Sequence, residues 1–379
     1  MIYVFNTYIC KRLIQIIITM KRFFLMLALV AMCAVRVEAK EFEVKRGVNI
    51  SHWLSQSSDR GEVRVNKFTR EDVKFIAEAG FDHIRIPIDE EQMFDEALKP
   101  EKEAFELLHN ALAWCKEFDL RVVVDLHILR THYFNADVKP LFTERKAQEQ
   151  FYDCWRMLSA ELKKYPRSMV AYELMNEPVA DDPEQWNVIV NECLAAVREL
   201  EPKRTIIIGA NRWQSFDQVK NLRVPEDDKN IIISFHFYNP FALTHYRASW
   251  TDQKDNPLKI TYPGNMASAE EVAKLSLAMK QKYGWLAGEG GYNDINTLEK
   301  QIKQAYDAAA AMGRKAYLGE FGVINGADEP SMIRWYRDVV AICEKYDIGY
   351  TTWDYKGGFG ILRDNGQPWQ EKIDALLGK

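Results

Sequence analysis

The sequence has no surplus of positive charge. Its 50 Lys and Arg face 55 Asp and Glu, for a net charge of −5. With no basic surplus to neutralise phosphates, a nucleic-acid partner is not expected. No block of like charge forms an acidic or basic tail. No Pro- or Ser-rich linker and no low-complexity tract interrupts the 379 residues, so nothing marks a second domain. No Gly-x-Gly-x-x-Gly follows a strand-like run, which argues against an open, doubly wound nucleotide-binding sheet. Cysteine is scarce: six in all. Those beyond residue 39 are Cys115, Cys154, Cys193 and Cys343, far apart in helical patterns and without metal-site spacing. They are expected to be buried free thiols, even in an exported chain. What is present, 47% hydrophobic and 28% charged residues, suits a globular fold.

The first 39 residues stand apart. Lys21-Arg22 precedes an apolar run from Phe23 to Val35, and Val37-Glu38-Ala39 follows. Basic, apolar and then small residues in that order predict a cleaved secretory signal, with Met20 a plausible true start. The run is short for a membrane anchor, and Met32 before Cys33 is large for a lipid-attachment signal. Removing this leader takes five basic residues and one acidic residue from the totals, leaving 45 against 54. The mature chain, residues 40–379, is expected outside the cytoplasm: periplasmic, at the cell surface or extracellular. No membrane span is expected after cleavage, and the oligomeric state expected is a monomer.

From residue 45 onward, short β-branched runs alternate with amphipathic helical patterns. The runs are 47–50, 83–86, 122–125, 170–173, 206–208, 231–233, 316–318 and 350–352. Near-continuous apolar runs suit strands covered on both faces, as in a parallel sheet. The helices are readable as well. Thr69 with Asp72 predicts a capping box, Phe68 with Val73 a hydrophobic staple, and Val73, Ile76 and Ala77 the inward stripe before Gly80 ends the helix. Phe105, Leu108, Leu112 and Cys115 repeat that stripe on the next helix. Eight such units predict a (β/α)8 barrel in the α/β class, a single domain. Residues 237–298, after the sixth strand, are too long for a simple connection and are expected to build part of the ligand face.

In such a barrel the catalytic groups come from the C-terminal strand ends. The ends deliver Asn49 to Trp53, Arg85, Asp125 and His127, Asn176 and Glu177, Asn211 and Trp213, His236 and Tyr238, Glu320, and Trp353. Period-2 spacing puts Asp125 with His127, and His236 with Tyr238, on one face. Glu177 and Glu320 come from nearly opposite strands and can face each other across the mouth. Cleaving a glycosidic bond needs such a pair, and the chain's 10 Trp offer stacking faces for sugar rings. His52, Trp53 and Trp213 either line outer subsites or pack the rim. Glu173 reads as a buried structural carboxylate, His83 as a barrel-core histidine and His109 as a helix-surface one. His132 and His245 lie in loops, touching substrate or solvated. A metal site from Asp125, His127 and His236 lacks the usual early His-x-His. No metal and no cofactor are expected.

The segment Tyr172-Glu173-Leu174-Met175-Asn176-Glu177-Pro178 resembles the Asn-Glu-Pro segment of glycoside hydrolase family 5. The rest of that family's pattern follows in order: Arg85 in His83-Ile84-Arg85-Ile86-Pro87, His127 in Val124-Asp125-Leu126-His127, His236 and Tyr238 in Phe235-His236-Phe237-Tyr238, Glu320 in Leu318-Gly319-Glu320-Phe321-Gly322, and Trp353. The resemblance covers nearly the whole chain beyond the leader. The stretch from Tyr238 to Trp250 is similar to members described as cellulases, whereas Trp353-Asp354-Tyr355-Lys356 is a less standard ending. The resemblance implies a retaining double displacement with Glu177 as acid/base and Glu320 as nucleophile, their carboxyls about 5 Å apart. Glu320 would be kept ionised by Arg85 and Tyr238, and its charge would raise the pKa of Glu177. Asn176 would hydrogen-bond the sugar 2-hydroxyl, and His127 and His236 would bind hydroxyls or hold the acid, over a Trp353 floor. The expected substrate is a β-glucan polysaccharide or oligosaccharide cut by an endo-β-1,4-glucanase. Mannan, xyloglucan and β-1,3-glucan are the alternatives, and an inactive sugar-binding barrel is the non-enzymatic one.

Overall fold

Eight parallel strands close into a barrel in this computed structural model, which describes residues 19–21 and 41–379. The strands are β1 (Arg46–Asn49), β2 (His83–Asp89), β3 (Arg121–Ile128), β4 (Val170–Glu173), β5 (Ile206–Gly209), β6 (Ile231–Phe237), β7 (Lys315–Phe321) and β8 (Gly349–Thr352). Each pairs with its neighbours in sequence, and β8 closes on β1 through Arg46 opposite Tyr350. The expected leader lies outside the described residues apart from 19–21, which are helical. Phe42–Lys379 is one compact unit. No described helix is long and apolar enough to cross a membrane.

The covering helices are α1 (Arg70–Ala79), α2 (Lys102–Glu117), α3 (Arg145–Leu162), α4 (Pro183–Leu200), α5 (Ile295–Ala311), α6 (Glu329–Lys345) and α7 (Gln370–Leu376). At α1 the capping box forms, Thr69 N donating to Asp72 Oδ2 at 2.8 Å, and Gly80 ends the helix at φ 111°. Phe68 and Val73 are both buried, as a staple requires. One expected unit departs from the pattern. Between β5 and β6 the described residues form only short turns, at Asn211–Gln214 and Val219–Asn221. Arg212, Trp213 and Gln214 all take left-handed φ values, 53°, 58° and 53°, which break a helix at its start.

Two apolar cores result. The larger lies between strands and helices and contains the four cysteines of the described residues, Cys115, Cys154, Cys193 and Cys343, which are free and buried. The smaller fills the barrel interior with Val123, Ala171, Ile207 and Tyr317 from the strands and Phe42 from the segment ahead of β1. On the same inward parity His83, at the start of β2, sits 2.9 Å from Thr351 Oγ1 and 3.1 Å from Tyr317 Oη, a satisfied core histidine, and farther along the strands come the buried Arg85, Asp125 and Glu173. Inward-facing polar residues are thus stacked toward the C-terminal mouth.

Candidate active site

Arg85 organises the mouth from below. The fully buried guanidinium donates Nε to Glu173 Oε2 at 2.7 Å, Nη1 to Glu320 Oε1 at 2.9 Å and Nη2 to Asn176 Oδ1 at 2.9 Å. Asp125 Oδ2 lies 3.0 Å from Nη2. Asn49 accepts from Nη1 at 2.9 Å and donates to Gly319 O at 3.1 Å, tying β1 to β7. Three buried carboxylates around one guanidinium raise its pKa further, against the cost of burial. Glu173 is the structural carboxylate expected. Gln214 donates to it at 2.9 Å by crossing Gly209, where a Cβ would come within 2.1 Å of the Gln214 side chain.

Glu320 reaches the cleft through an irregularity in β7. Phe235 pairs with Leu318, but the next residue, His236, pairs with Glu320, so β7 carries an extra residue at Gly319. The β8 register shifts at the same place. Bulges of this kind re-aim side chains beside active sites. Glu177 is aimed by a different device, a left-handed backbone with φ 44°, a conformation that non-glycine residues hold only where the surroundings enforce it.

The two carboxylates and His236 converge, each offering an atom within 4.8 Å of the others. His236 Nδ1 lies 2.9 Å from Glu177 Oε1 and 3.6 Å from Glu320 Oε2, while Tyr238 Oη donates to Glu320 Oε2 at 3.0 Å. Burial raises both carboxyl pKa values, but to different degrees. Glu177 is pushed well above the ordinary glutamate range by burial and then by the charge of Glu320. The expected influence of Glu320 is therefore present but second to desolvation. Glu320 is also raised by burial, while Arg85, His127 and the Tyr238 hydroxyl pull it back. A single proton shared by the pair accordingly rests on Glu177, which keeps 13% of its side-chain surface open to the cleft.

Asp125, His127 and His236 do not converge as a ligand set among the described residues. His127 Nδ1 lies 2.7 Å from Asp125 Oδ2, which Arg85 also engages. The trio that does converge presents a Glu320 whose two oxygens already accept from Arg85 and Tyr238. A cation there would compete with a guanidinium 2.9 Å from the same oxygen.

Around these groups runs a cleft of about 860 Å³. His52, His127, Asn176, Glu177, Trp213, His236, Tyr238, Glu320 and Trp353 line it, with Arg85 beneath. His127 stacks on Trp353 at 5.7 Å and 10°, fixing the indole plane. Trp53 does not reach the cleft: it is buried against Phe68 and donates Nε1 to Arg64 O at 2.9 Å, held by the chain segment that follows β1. His132 is neither solvated nor at the cleft but buried edge-on to Phe142. His109 sits on the surface of α2 beside Tyr165, 2.9 Å from its hydroxyl. In the long connection after β6, Tyr238 to Asp252 contribute to the lining, including His245 stacked on Phe241 at 4.0 Å. Its later part does not. Tyr262 is buried and donates to Asp338 of α6 at 2.6 Å, and Trp285 stands outside the cleft. The lining also includes Tyr133, Phe134 and Asn135 after β3, and Phe359 after β8, which no strand-end reading identifies. The aromatic character of Tyr133, Phe134 and Phe359 within long connections is the available signal.

The likeness to known proteins matches this geometry. The family model for cellulase (glycosyl hydrolase family 5) matches residues 37–358. Endoglucanase C of Acetivibrio thermocellus is 34% identical over 344 residues, covering 88% of this chain and 98% of that protein. A hyperthermophilic endo-β-1,4-glucanase solved in complex with substrate has a TM-score of 0.72 at 25% identity, covering 89% of this chain and 97% of that one. Thermotoga maritima Cel5A in complex with mannotriose has a TM-score of 0.70 at 26% identity, covering 88% and 97% respectively. The chain belongs to glycosyl hydrolase family 5, the cellulase family of retaining O-glycosyl hydrolases.

Proposed function

We propose that this chain is an endo-β-1,4-glucanase in which Glu177 is the acid/base and Glu320 the nucleophile. The observation that carries the assignment is the opposed environment of two carboxylates converging within 4.8 Å. Glu320 is held by a guanidinium and a phenol, which favour the anion. Among the described residues Glu177 has only a neutral imidazole at hydrogen-bond distance, and it is raised by burial and by its partner's charge, which favours the acid.

The chemistry follows from that asymmetry. Glu320 attacks the anomeric carbon while Glu177 gives its proton to the departing oxygen, leaving a glycosyl ester on Glu320. Glu177, now a base, takes a proton from water, which attacks the same carbon and frees Glu320. Asn176 Nδ2, which has no partner among the described residues, is available to a sugar hydroxyl beside the reacting carbon. Trp353, oriented by His127, supplies the floor for the ring. Exposed Trp213 and Trp250 on the cleft rim favour binding along a chain, as an endo-acting enzyme requires.

The test has two arms. A mechanism-based fluoro-glucoside should form an ester on Glu320, seen in the peptide mass map; labelling elsewhere refutes the role. Glu177→Gln should lower turnover by roughly 10²–10⁴-fold with the fold retained, and a near-normal rate refutes the acid/base role. Because the Thermotoga relative was solved with mannotriose, β-mannan is the reading to separate from β-glucan. Product sizing on carboxymethyl-cellulose and on mannan decides it, and mannan products alone would overturn the glucanase assignment. We also infer export through residues 1–39, from the basic, apolar and small-residue order there. An intact leader on the secreted or periplasmic protein, by N-terminal sequencing, would refute cleavage.

A further inference from the structure

Lys372 is fully buried, yet the chemistry above makes no use of it. It stands on α7, beyond residue 358 where the family match ends. Its ammonium donates to Phe359 O at 2.7 Å, to Gly360 O at 3.0 Å and to Asn325 Oδ1 at 3.0 Å. An ammonium has three donors, so three acceptors satisfy it. The Tyr336 and Trp369 rings flank it, 5.1 and 5.4 Å from Nζ, and the buried Asp354 carboxylate acts on it by charge. An apolar residue would anchor α7 without the desolvation cost of a buried amine, so the polar contacts call for a reason of their own.

Those contacts converge on a glycine-rich turn that closes on itself through Gly360 N donating to Gly357 O at 3.0 Å. Gly357, Gly358 and Gly360 surround Phe359, and glycine leaves the backbone free. Asn325 grips the same turn from β7's following loop, its N–H donating to Gly358 O at 2.7 Å and Nδ2 to Gly357 O at 3.3 Å. Phe359 in turn packs edge-on against Tyr238 at 6.3 Å and against His245 at 5.5 Å. Tyr238 is the phenol that donates to Glu320. A continuous set of contacts therefore runs from α7 to the reacting carboxylate.

We propose that Lys372 is a positioning residue for the nucleophile. It locks the glycine-rich turn so that the Phe359 ring holds Tyr238 in the rotamer that donates to Glu320. The proposal rests on the assignment of Glu320 as nucleophile. Its test uses the full chain on an aryl β-cellobioside at pH 6, because burial pushes the Lys372 amine down to about 7.

Lys372→Met should lower kcat by about ten- to a hundredfold with KM changed by less than about threefold, since a displaced catalytic group costs turnover rather than ground-state binding. Phe359→Leu should give a loss of the same kind, and the double variant should lose no more than the worse single one. An unchanged kcat in Lys372→Met, or losses that multiply in the double variant, overturns the proposal. If Lys372→Met does not fold, Asn325→Ala carries the test from the other end of the clamp. It should lower kcat several-fold and non-additively with Phe359→Leu, and an unchanged kcat there overturns the proposal equally. A wild-type chain inactive on every β-glycan would instead refute the functional reading, which separates the two failures.

Discussion

The imidazole Nδ1 of His236 lies 2.9 Å from Oε1 of Glu177. Burial, reinforced by Arg85 and His127, pushes the His236 pKa well below its ordinary value, so the ring is neutral and gives Glu177 no counter-charge. Glu177 thus keeps its proton because of burial and the neighbouring Glu320. The proposed double displacement requires Glu320 ionised and Glu177 protonated. The rate should rise with pH as Glu320 loses its proton and fall as Glu177 does, with the alkaline limb well above the ordinary glutamate range. In Glu320→Gln the negative charge is gone. The Glu177 titration, followed by infrared or carbon NMR, should move down yet stay above that range. A titration that did not move would assign the whole elevation to burial.

Arg85 pairs with three carboxylates that are all buried at the barrel mouth. Arg85→Met should therefore cost about 3–5 kcal/mol in denaturant unfolding, because it strands charges rather than deleting a favourable pair. Adding Glu173→Gln to Arg85→Met should recover part of that loss by removing one stranded charge. Additive losses in the double variant would contradict this account.

Much of the site was legible because barrel strands alternate faces and end at one mouth. Asp125 and His127, or His236 and Tyr238, can be assigned to one surface from spacing alone. Trp53 and Trp213 show where that reasoning stops. Both are tryptophans just past a strand end, yet Trp53 is 1% exposed and Trp213 44% exposed. The difference lies in a backbone carbonyl, Arg64 O, that captures one indole, and in a left-handed turn that turns the other toward the cleft. The Gly319 irregularity in β7 is equally silent in sequence, since its cause is pairing with strands on both sides. Phe359 escaped notice because its position depends on a glycine-rich turn held from α7.

Trp213 and Trp250 are 44% and 62% exposed on the cleft rim. Neither touches the carboxylate pair through any contact described above, so their loss should weaken binding without altering the reacting geometry. Trp213→Ala and Trp250→Ala should each cost about 0.5–1.5 kcal/mol of stacking on long cello-oligosaccharides. That should appear as a KM rise of roughly two- to twelvefold with kcat preserved. Little effect is expected on an aryl cellobioside too short to reach the rim. Equal losses on short and long substrates would place these rings at the reacting sugar instead.

Gly319 permits the approach of two side chains, Ser234 and His236, at the point where β7 re-aims Glu320. A Cβ built there would lie 2.7 Å from Ser234 Oγ and 3.3 Å from His236 Nε2. Ser234 can rotate away, but the His236 ring is held from its other nitrogen by Glu177. Gly319→Ala should therefore shift the imidazole by a few tenths of an ångström and carry Glu177 with it, misplacing the acid relative to the leaving oxygen. The expected outcome is a fall in kcat of about tenfold or more with a modest loss of stability, since the added methyl intrudes on a packed interior. Substrates whose leaving group needs no proton separate this cause from a general disturbance. An activated aryl glycoside should be spared relative to cello-oligosaccharide in Gly319→Ala, as in Glu177→Gln. Equal losses on both substrates would mean that the methyl acts on Glu320 rather than on the acid.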